Sequence, residues 1–320
     1  MKKQLLIAAV AATMTSAAMA DLSISGDAKF EYQNVDTETT TNVNKTNTEV
    51  NLKLRGKSGD TSVIVDVASN GAGGLVVENQ YITSKIGDVS VKAGNFTSGT
   101  TALLGEIDEG GRSNNKVHLS TTLGGMNVYM GNSGSSTGST GFTSIDNNMY
   151  AGVSTKVAGF TVQAKRNSQT VDSFGIAGDV AGFGVRLETK SDDAASSDVT
   201  FGNITKDVNG VSLGYAWIDA DADALVTETD SSIFAVELGG TGSQGNSNSQ
   251  IMAKTSMAGN TVTVKSGTIG FATAADEDYT QVGVSRPLAS GATLAFTYTN
   301  KDTSATAETK TFEADLSVKF

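Results

Sequence analysis

Residues 311–320 read TFEADLSVKF and alternate between apolar and polar side chains without a break. The apolar positions are Phe312, Ala314, Leu316, Val318 and Phe320. Successive side chains of a β-strand point to opposite faces, so this pattern predicts a strand with one apolar and one polar face. The apolar face continues to Phe320, and the fold depends on what that face contacts.

The same two-residue period recurs along the whole chain. It appears in LSISGDAKFEYQ (22–33), EVNLKLRGK (49–57), TVTVKSG (261–267) and TLAFTYT (293–299). Runs of this length and period are typical of half-buried strands rather than helices. With a single proline, at Pro287 in a turn-like RPLASG, no strand interior is interrupted. The chain is therefore predicted to be all-β.

Short and long connections alternate between these segments. Long polar loops are predicted at 36–47, 131–147 and 301–310, and the tight turns contain glycine or proline. The predicted tight turns are Ser58-Gly59, Gly87-Asp88, Gly124-Gly125, Ala158-Gly159, Ala181-Gly182, Asn209-Gly210, Gly259-Asn260 and the Pro287 turn. Eight tight turns, with both termini of the barrel domain on the tight-turn side, give 18 strands. The stretch 219–249 is a strand or a folded loop, which leaves 16 strands as the alternative.

The first 20 residues have the composition of an export signal. Lys2 and Lys3 precede a short apolar stretch, and Ala18-Met19-Ala20 forms a small-residue cleavage pattern. We expect residues 1–20 to be a signal peptide and 21–320 to be one barrel domain. The chain has no cysteine and a net charge of −11, so disulfides are absent and nucleic acid is not expected as a partner.

Two architectures can use many alternating strands. A soluble sandwich buries its apolar faces inside, whereas a transmembrane barrel turns them outward to lipid and lines its interior with polar residues. Few stretches are apolar on both faces, and the polar face carries charges such as Lys53 and Glu188. Open sheet edges are not tolerated in lipid, so a membrane version has to close. The pattern favours a closed antiparallel transmembrane β-barrel of 16–18 strands, with 18 preferred.

Several stretches resemble the general porins of Gram-negative bacteria. The opening DLSISGDAKFEYQ is similar to the first porin strand, and TEVNLKLRGKSGDTSVIVDV (48–67) to the strand-turn-strand after it. The next porin hairpin resembles ITSKIGDVSVKAGN (82–95). The exit of the third loop resembles GGRSNNKVHLSTTLGGMNVYMGN (110–132), and the last periplasmic turn resembles VSRPLASGATLAFTYTN (284–300). The order of the pieces, more than any one of them, carries the resemblance.

The resemblance implies a water-filled channel for small hydrophilic solutes in the bacterial outer membrane, commonly a homotrimer. It implies that the third loop, FTSGTTALLGEIDEGGRSNN (96–115), folds into the lumen and forms a constriction. The loop side would carry Glu106, Asp108, Glu109 and Arg112. The facing wall would carry Lys29, Lys53, Arg55 and Lys92, which lie on the polar phase of early strands.

Phe320 has a separate role in this interpretation. A final alternating strand that ends in Phe resembles the signal by which bacterial outer-membrane barrels are recognised during assembly. We therefore expect the barrel-assembly machinery as a transient partner, and outer-membrane lipid and lipopolysaccharide as the surroundings.

Catalysis, cofactors and a metal site are not expected. His118 is the only histidine, and no nucleophile or phosphate-binding motif accompanies it. The acidic stretch DADADALVTETD (219–230) has the spacing of a calcium loop, but Ala224 stands where the sharp turn needs glycine. The alternatives are a secreted structural or surface-layer β-protein without a pore and, less favoured, an outer-membrane enzyme.

Overall fold

A computed structural model describes residues 21–38, 40–69, 74–98, 103–104, 110–132, 149–167, 170–193, 196–221, 233–235, 247–271, 275–303 and 307–320. The first nine strands are β1 (Asp21–Thr37), β2 (Thr40–Ser58), β3 (Thr61–Ser69), β4 (Leu75–Ile86), β5 (Val89–Ser98), β6 (Gly110–Leu123), β7 (Met126–Asn132), β8 (Met149–Val157) and β9 (Phe160–Asn167). The others are β10 (Val171–Val180), β11 (Phe183–Asp192), β12 (Ser197–Val208), β13 (Val211–Ala220), β14 (Ser247–Met257), β15 (Asn260–Gly270), β16 (Glu277–Pro287), β17 (Ala292–Thr303) and β18 (Ala307–Lys319).

All 18 strands belong to one antiparallel sheet that closes on itself. Each strand pairs with its sequence neighbours, and β1 pairs with β18 from Asp27 opposite Lys319 to Thr37 opposite Thr309. The seam continues to Phe320, whose backbone N–H and C=O both bond to Gly26, at 3.0 and 2.9 Å. The closed 18-stranded barrel is confirmed, and the alternative of 16 strands is wrong.

The tight turns all lie at one end of the barrel, as predicted. Five of them have two successive residues with positive φ, the type I′ geometry that matches the twist of a hairpin. Three of these turns place alanine first, at Ala158, Ala181 and Ala258, with φ between 50° and 52°. The predicted positions are one residue off in two turns: Gly59-Asp60 and Ala258-Gly259 are the residues that turn.

Two predicted long loops are wrong. The first hairpin extends to Thr37 and resumes at Thr40, and the last extends to Thr303 and resumes at Ala307. Side chains link the strands of the first hairpin, where Asn34 donates to Asn44 at 2.7 Å. Polar residues at the ends of these strands therefore continue the hydrogen-bonded pairing beyond the apolar outer band, and they do not form loops. The open question at 219–249 is settled for the sheet, because β13 pairs directly with β14 and no further strand of the described residues lies between them.

The outer face of the barrel is apolar. Exposed large hydrophobic side chains occur at alternating outward positions on nearly every strand, for example Ile24, Ile82, Leu187, Ile251 and Leu316. A band of exposed apolar side chains around a closed sheet is the surface that a lipid bilayer requires. Within the described residues, no helix is long and apolar enough to cross a membrane. Residues 1–20, the expected signal peptide, lie outside the described residues.

Candidate pore interior

The third loop, between β5 and β6, folds into the barrel. Its described residues, Leu103 and Leu104, are 6% and 0% exposed. Both lie against Gly175, an inward-facing position of β10: a Cβ added to Gly175 would lie 2.8 Å from Leu103 and 2.9 Å from Leu104. Because β10 is four strands away from β6 around the wall, these two residues lie inside the barrel. The prediction of an inward third loop is confirmed for these residues.

The side chain of Leu104 belongs to a cluster of apolar side chains on the inner wall. We call this cluster the apolar anchor. Its wall members project from β12, β13, β15 and β16, and Phe234 joins it from the loop between β13 and β14. The members are Leu104, Val199, Phe201, Ala216, Ile218, Ala220, Phe234, Ile269 and Tyr279. Inward positions of a water-filled barrel are usually polar, so an apolar group of this size needs a cover, and the two loops supply it.

The loop between β13 and β14 is the seventh on its side of the barrel, and Gln250 holds it. The side-chain amide of Gln250 donates to the backbone oxygen of Ile233 at 2.7 Å, and its oxygen accepts from the N–H of Ala235 at 2.7 Å. Between these two bonds, Phe234 packs edge-on against Phe201, with ring centroids 6.2 Å apart. Tyr279 donates to Asn248 at 2.8 Å beside this site. The loop is therefore fixed by polar and apolar contacts together.

A buried ion pair lies beside the apolar anchor. Arg186 donates through Nε to Glu188 at 2.5 Å, and the carboxylate of Glu188 is fully buried. The guanidinium of Arg186 lies 5.3 Å from the ring of Phe201. Glu188 pairs with Gly175 across the sheet, so the charge pair lies next to the contact with the third loop. A buried carboxylate is tolerated only with such a partner.

Two of the four predicted wall cations are in ion pairs. Lys29 lies 2.5 Å from Glu31 and 3.6 Å from Asp315. Lys53 lies 3.8 Å from Asp66. These lysines face the lumen as predicted, but neighbouring carboxylates offset their charge.

The other two predicted wall residues, Arg55 and Lys92, line a shared concave surface with Lys57 and Lys85. We call these four cations the basic patch. Arg55 makes a 3.4 Å contact with Ser62, and Lys92 lies over the rings of Tyr81 and Phe96, at 4.3 and 4.1 Å. Within the described residues, no carboxylate lies within 4 Å of any of the four cations.

The predicted loop-side residues Glu106, Asp108 and Glu109 lie outside the described residues. Arg112 belongs to β6, where its backbone pairs with Thr97. Phe320 is 59% exposed on the outer face, with its ring over Gly26 at the seam. The roles assigned to these residues stay predictions.

Between the basic patch and the apolar anchor, the inner wall carries flat aromatic rings. Tyr150 lies over Gly131 and Tyr129 over Gly152, where any Cβ would overlap the ring. His118 bonds through Nδ1 to the hydroxyl of Tyr150 at 2.8 Å. The single histidine thus has a structural partner. Glycine opposite an aromatic residue is a known device for setting register in curved sheets.

Several residues of the interior were missed from the sequence: Leu103, Leu104, Phe234 and Gln250. The signal for Leu103, Leu104 and Phe234 was present, because an apolar pair in ALLG and an apolar run in SSIFAV interrupt loops that are otherwise polar. Gln250 had no signal, since nothing in the sequence marks which polar inward residue binds a loop.

The acidic stretch 219–230 does not begin as a calcium loop. Asp219 belongs to β13 and pairs with Ser247, and the carboxylate of Asp221 accepts from the backbone N–H of Asp198 at 2.9 Å. The described residues contain no group of three metal-ligating side chains.

Solved structures with this fold are bacterial outer-membrane proteins. OccK11 (OpdR) of Pseudomonas aeruginosa is 12% identical, with a TM-score of 0.64 over 94% of this chain and 96% of that chain. OccAB4 of Acinetobacter baumannii is 11% identical, with a TM-score of 0.62 over 94% and 98%. A loop-deletion mutant of OmpT, an outer membrane protein of Vibrio cholerae, is 13% identical, with a TM-score of 0.50 over 94% and 100%.

No protein-family model and no curated protein sequence matches the chain. At this level of identity the likeness concerns the fold. The chain has the closed 18-stranded barrel of outer-membrane porins, and the predicted fold class is confirmed.

Proposed function

We propose that this protein is an outer-membrane porin through which small hydrophilic solutes and ions diffuse passively. The observation that carries the proposal is a closed barrel that is apolar outside and has exposed cations inside, with two loops held against one side of its inner wall. An apolar exterior places the barrel in lipid, and a polar interior keeps water and solutes in the lumen.

The loops set which solutes pass. The described residues of the third and seventh loops pack on the wall from β10 to β16, and we propose that the passage lies beside the strands that carry the basic patch. A solute in this passage meets charged and hydroxyl side chains that replace part of its hydration. Transport needs no covalent step, and the relatives in fold are porins rather than enzymes.

Single-channel recording in a planar bilayer tests the proposal. Purified full-length protein should give stepwise ion currents. Its exclusion limit, measured with neutral polyethylene glycols of graded size, should correspond to a lumen narrowed by loops. Silence with correctly folded protein would favour the structural or surface-layer protein without a pore.

We further propose that Glu106, Asp108 and Glu109 form the loop side of the constriction, with Arg112 near its exit. Neutralising the three acids together should shift the reversal potential toward anions, most strongly at low salt, where screening is weakest. Neutralising Asp207 and Asp179, inward-facing acids near the tight-turn end, is the matched control. An unchanged reversal potential in the triple variant would place the constriction elsewhere.

We propose a homotrimer in a membrane that contains lipopolysaccharide. Light scattering of the detergent-solubilised protein should give three times the mass of the chain, and the conductance should open in three equal steps. A mass of one chain and single steps would contradict the trimer.

Phe320 is proposed as the signal read by the barrel-assembly machinery. Phe320→Asp should lower the amount of folded protein in the outer membrane and leave export intact. Ser317→Asp adds the same charge at an inward position of the same strand and is the control. Folded protein is measured by the heat-dependent shift in gel mobility. Equal amounts of folded native and Phe320→Asp protein would contradict the role.

A further inference from the structure

The basic patch differs from three other lysines of the inner wall. Lys29, Lys53 and Lys301 each lie within 4 Å of a carboxylate, whereas the four patch cations have none among the described residues. Arg55, Lys57 and Lys85 are exposed to the lumen, and Lys92 is half-buried. Among the described residues, therefore, no carboxylate neutralises these positive charges at close range.

The patch is built by the register of four strands, β2 to β5. Lys57 pairs with Ser62, Ser62 with Thr83, and Thr83 with Lys92. Arg55 and Lys85 lie two residues from this row, on either side of it along their strands. Neighbouring strands are about 4.8 Å apart, so Lys57 and Lys92 are about 14 Å apart at the backbone and their flexible stems can converge on one small anion.

Hydroxyl groups fill the space between the cations. Ser62, Thr83, Ser90 and Ser120 line the same surface, and Asp60, in a turn at the rim, is the one carboxylate of the described lining. A phosphate group carries nearly two negative charges at neutral pH and three strong acceptor oxygens. It can bind a guanidinium, several ammonium groups and hydroxyl donors at once, whereas a carboxylate has half the charge and fewer acceptors.

We propose that the basic patch is a binding subsite for phosphate groups, and that it recruits small phosphate monoesters into the lumen from the tight-turn side. Lys92 holds its place because its ammonium lies against Tyr81 and Phe96, which orders its stem without neutralising its charge. The inference deepens the proposed porin function and rests on it for transport, although binding can be measured without transport.

The test compares two pairs of inward cations on facing walls. Arg55→Gln/Lys92→Gln removes two charges of the patch. Lys254→Gln/Lys265→Gln removes two inward lysines of β14 and β15, where β15 is five strands around the barrel from β2 and β14 is nine strands from β5. The heat-dependent mobility shift first establishes that both variants are folded.

Glycerol 3-phosphate is added to the tight-turn side of full-length channels in about 0.1 M potassium chloride, and the concentration that halves the mean current is measured. Loss of the patch pair should raise this concentration about tenfold, since charge-assisted hydrogen bonds are lost in a wet lumen. Loss of the control pair should change it less than twofold. Inorganic phosphate should behave like the ester, and glycerol and acetate should block far less.

Two results would overturn the proposal: equal effects of the two double variants, or block by acetate at the same concentration as glycerol 3-phosphate. If the native protein carries no current, the porin function fails. Calorimetric titration of the detergent-solubilised protein with glycerol 3-phosphate then decides the subsite alone, because binding that the Arg55→Gln/Lys92→Gln variant lacks supports it and no binding refutes it.

Discussion

The basic patch on β2–β5 and the apolar anchor on β12–β16 are both made of inward-facing side chains, yet they have opposite character. The patch exposes Arg55, Lys57 and Lys85, whereas the anchor buries Phe201 and Ile218 almost completely. Strand alternation is the same in both regions. What differs is the chemistry of the inward positions, and it decides whether a loop or water covers the wall.

This comparison indicates that the chemistry of the inner wall determines the position of the passage as much as the loops do. Burying an apolar side chain contributes about 1.5–3 kcal/mol, so an apolar inward surface holds any loop that brings matching side chains. A charged surface loses hydration under a loop and stays open. The solute path is therefore expected along the charged side.

The largest effect is expected from a charge placed in the apolar anchor. Leu104 is fully buried, so Leu104→Asp should cost about 3 kcal/mol or more for an unpaired buried carboxylate and release the third loop. Channel conductance and the polymer exclusion limit should rise. Leu104→Met, which conserves volume, should leave both close to native. Equal conductance of all three proteins would remove the distinction between the two walls.

A bulky side chain at the contact with the third loop should act next most strongly. Gly175→Val introduces a Cβ less than 3 Å from Leu103 and Leu104, so the loop has to shift toward the passage or detach, at a cost of about 1–3 kcal/mol. The unitary conductance should change in either direction. Gly283→Val is the control, because a Cβ at Gly283 meets nothing closer than 3.9 Å. The same change in both variants would contradict the placement of the loop.

Gln250→Ala tests whether the two hydrogen bonds of Gln250 hold the seventh loop on the wall. It leaves the N–H of Ala235 and the C=O of Ile233 without their partner, which costs about 1–3 kcal/mol locally. Proteolysis within 222–246 should become faster in detergent micelles, while the barrel stays intact. Gln281→Ala removes a wall-to-wall bond to Thr299 and should leave the cleavage rate as in the native protein. Unchanged cleavage of the Gln250 variant would show that its two bonds do not hold the loop.

The smallest effect is expected from substitutions in the tight turns, which connect neighbouring strands all around the barrel. Ala158, Ala181 and Ala258 have the left-handed conformation that costs a non-glycine residue about 1 kcal/mol. Each substitution by glycine should raise the midpoint of heat unfolding in detergent slightly and leave conductance as it is. Ala151→Gly, inside β8, should lower the midpoint instead, because glycine costs about 0.5–1 kcal/mol in a strand. A conductance change in any turn variant would mean that the turns contribute to the passage.

The sequence predicted the barrel well because its signal is local. Alternation at residues 311–320 indicates which face of a strand is apolar, and the turns favour 18 strands over 16, without knowledge of distant contacts. The wall cations Arg55 and Lys92 follow from the same alternation. The ion pair of Lys29 with Asp315 and the two bonds of Gln250 join residues far apart or in a loop, so strand periodicity carries no information about them. The first and last loops were predicted too long, because polar strand residues that pair above the membrane look like loop residues.

The seam between β1 and β18 joins the two ends of the described chain, with Phe320 bonded to Gly26. Contacts between such distant segments form late, because the intervening chain has to be ordered first. Until that moment every intermediate has two exposed strand edges, which are templates for aggregation. Pairing of β1 with β18 leaves the finished barrel without an open strand edge, and before that pairing both edges are exposed. The yield of folded protein during biogenesis therefore depends on how fast these two edges meet.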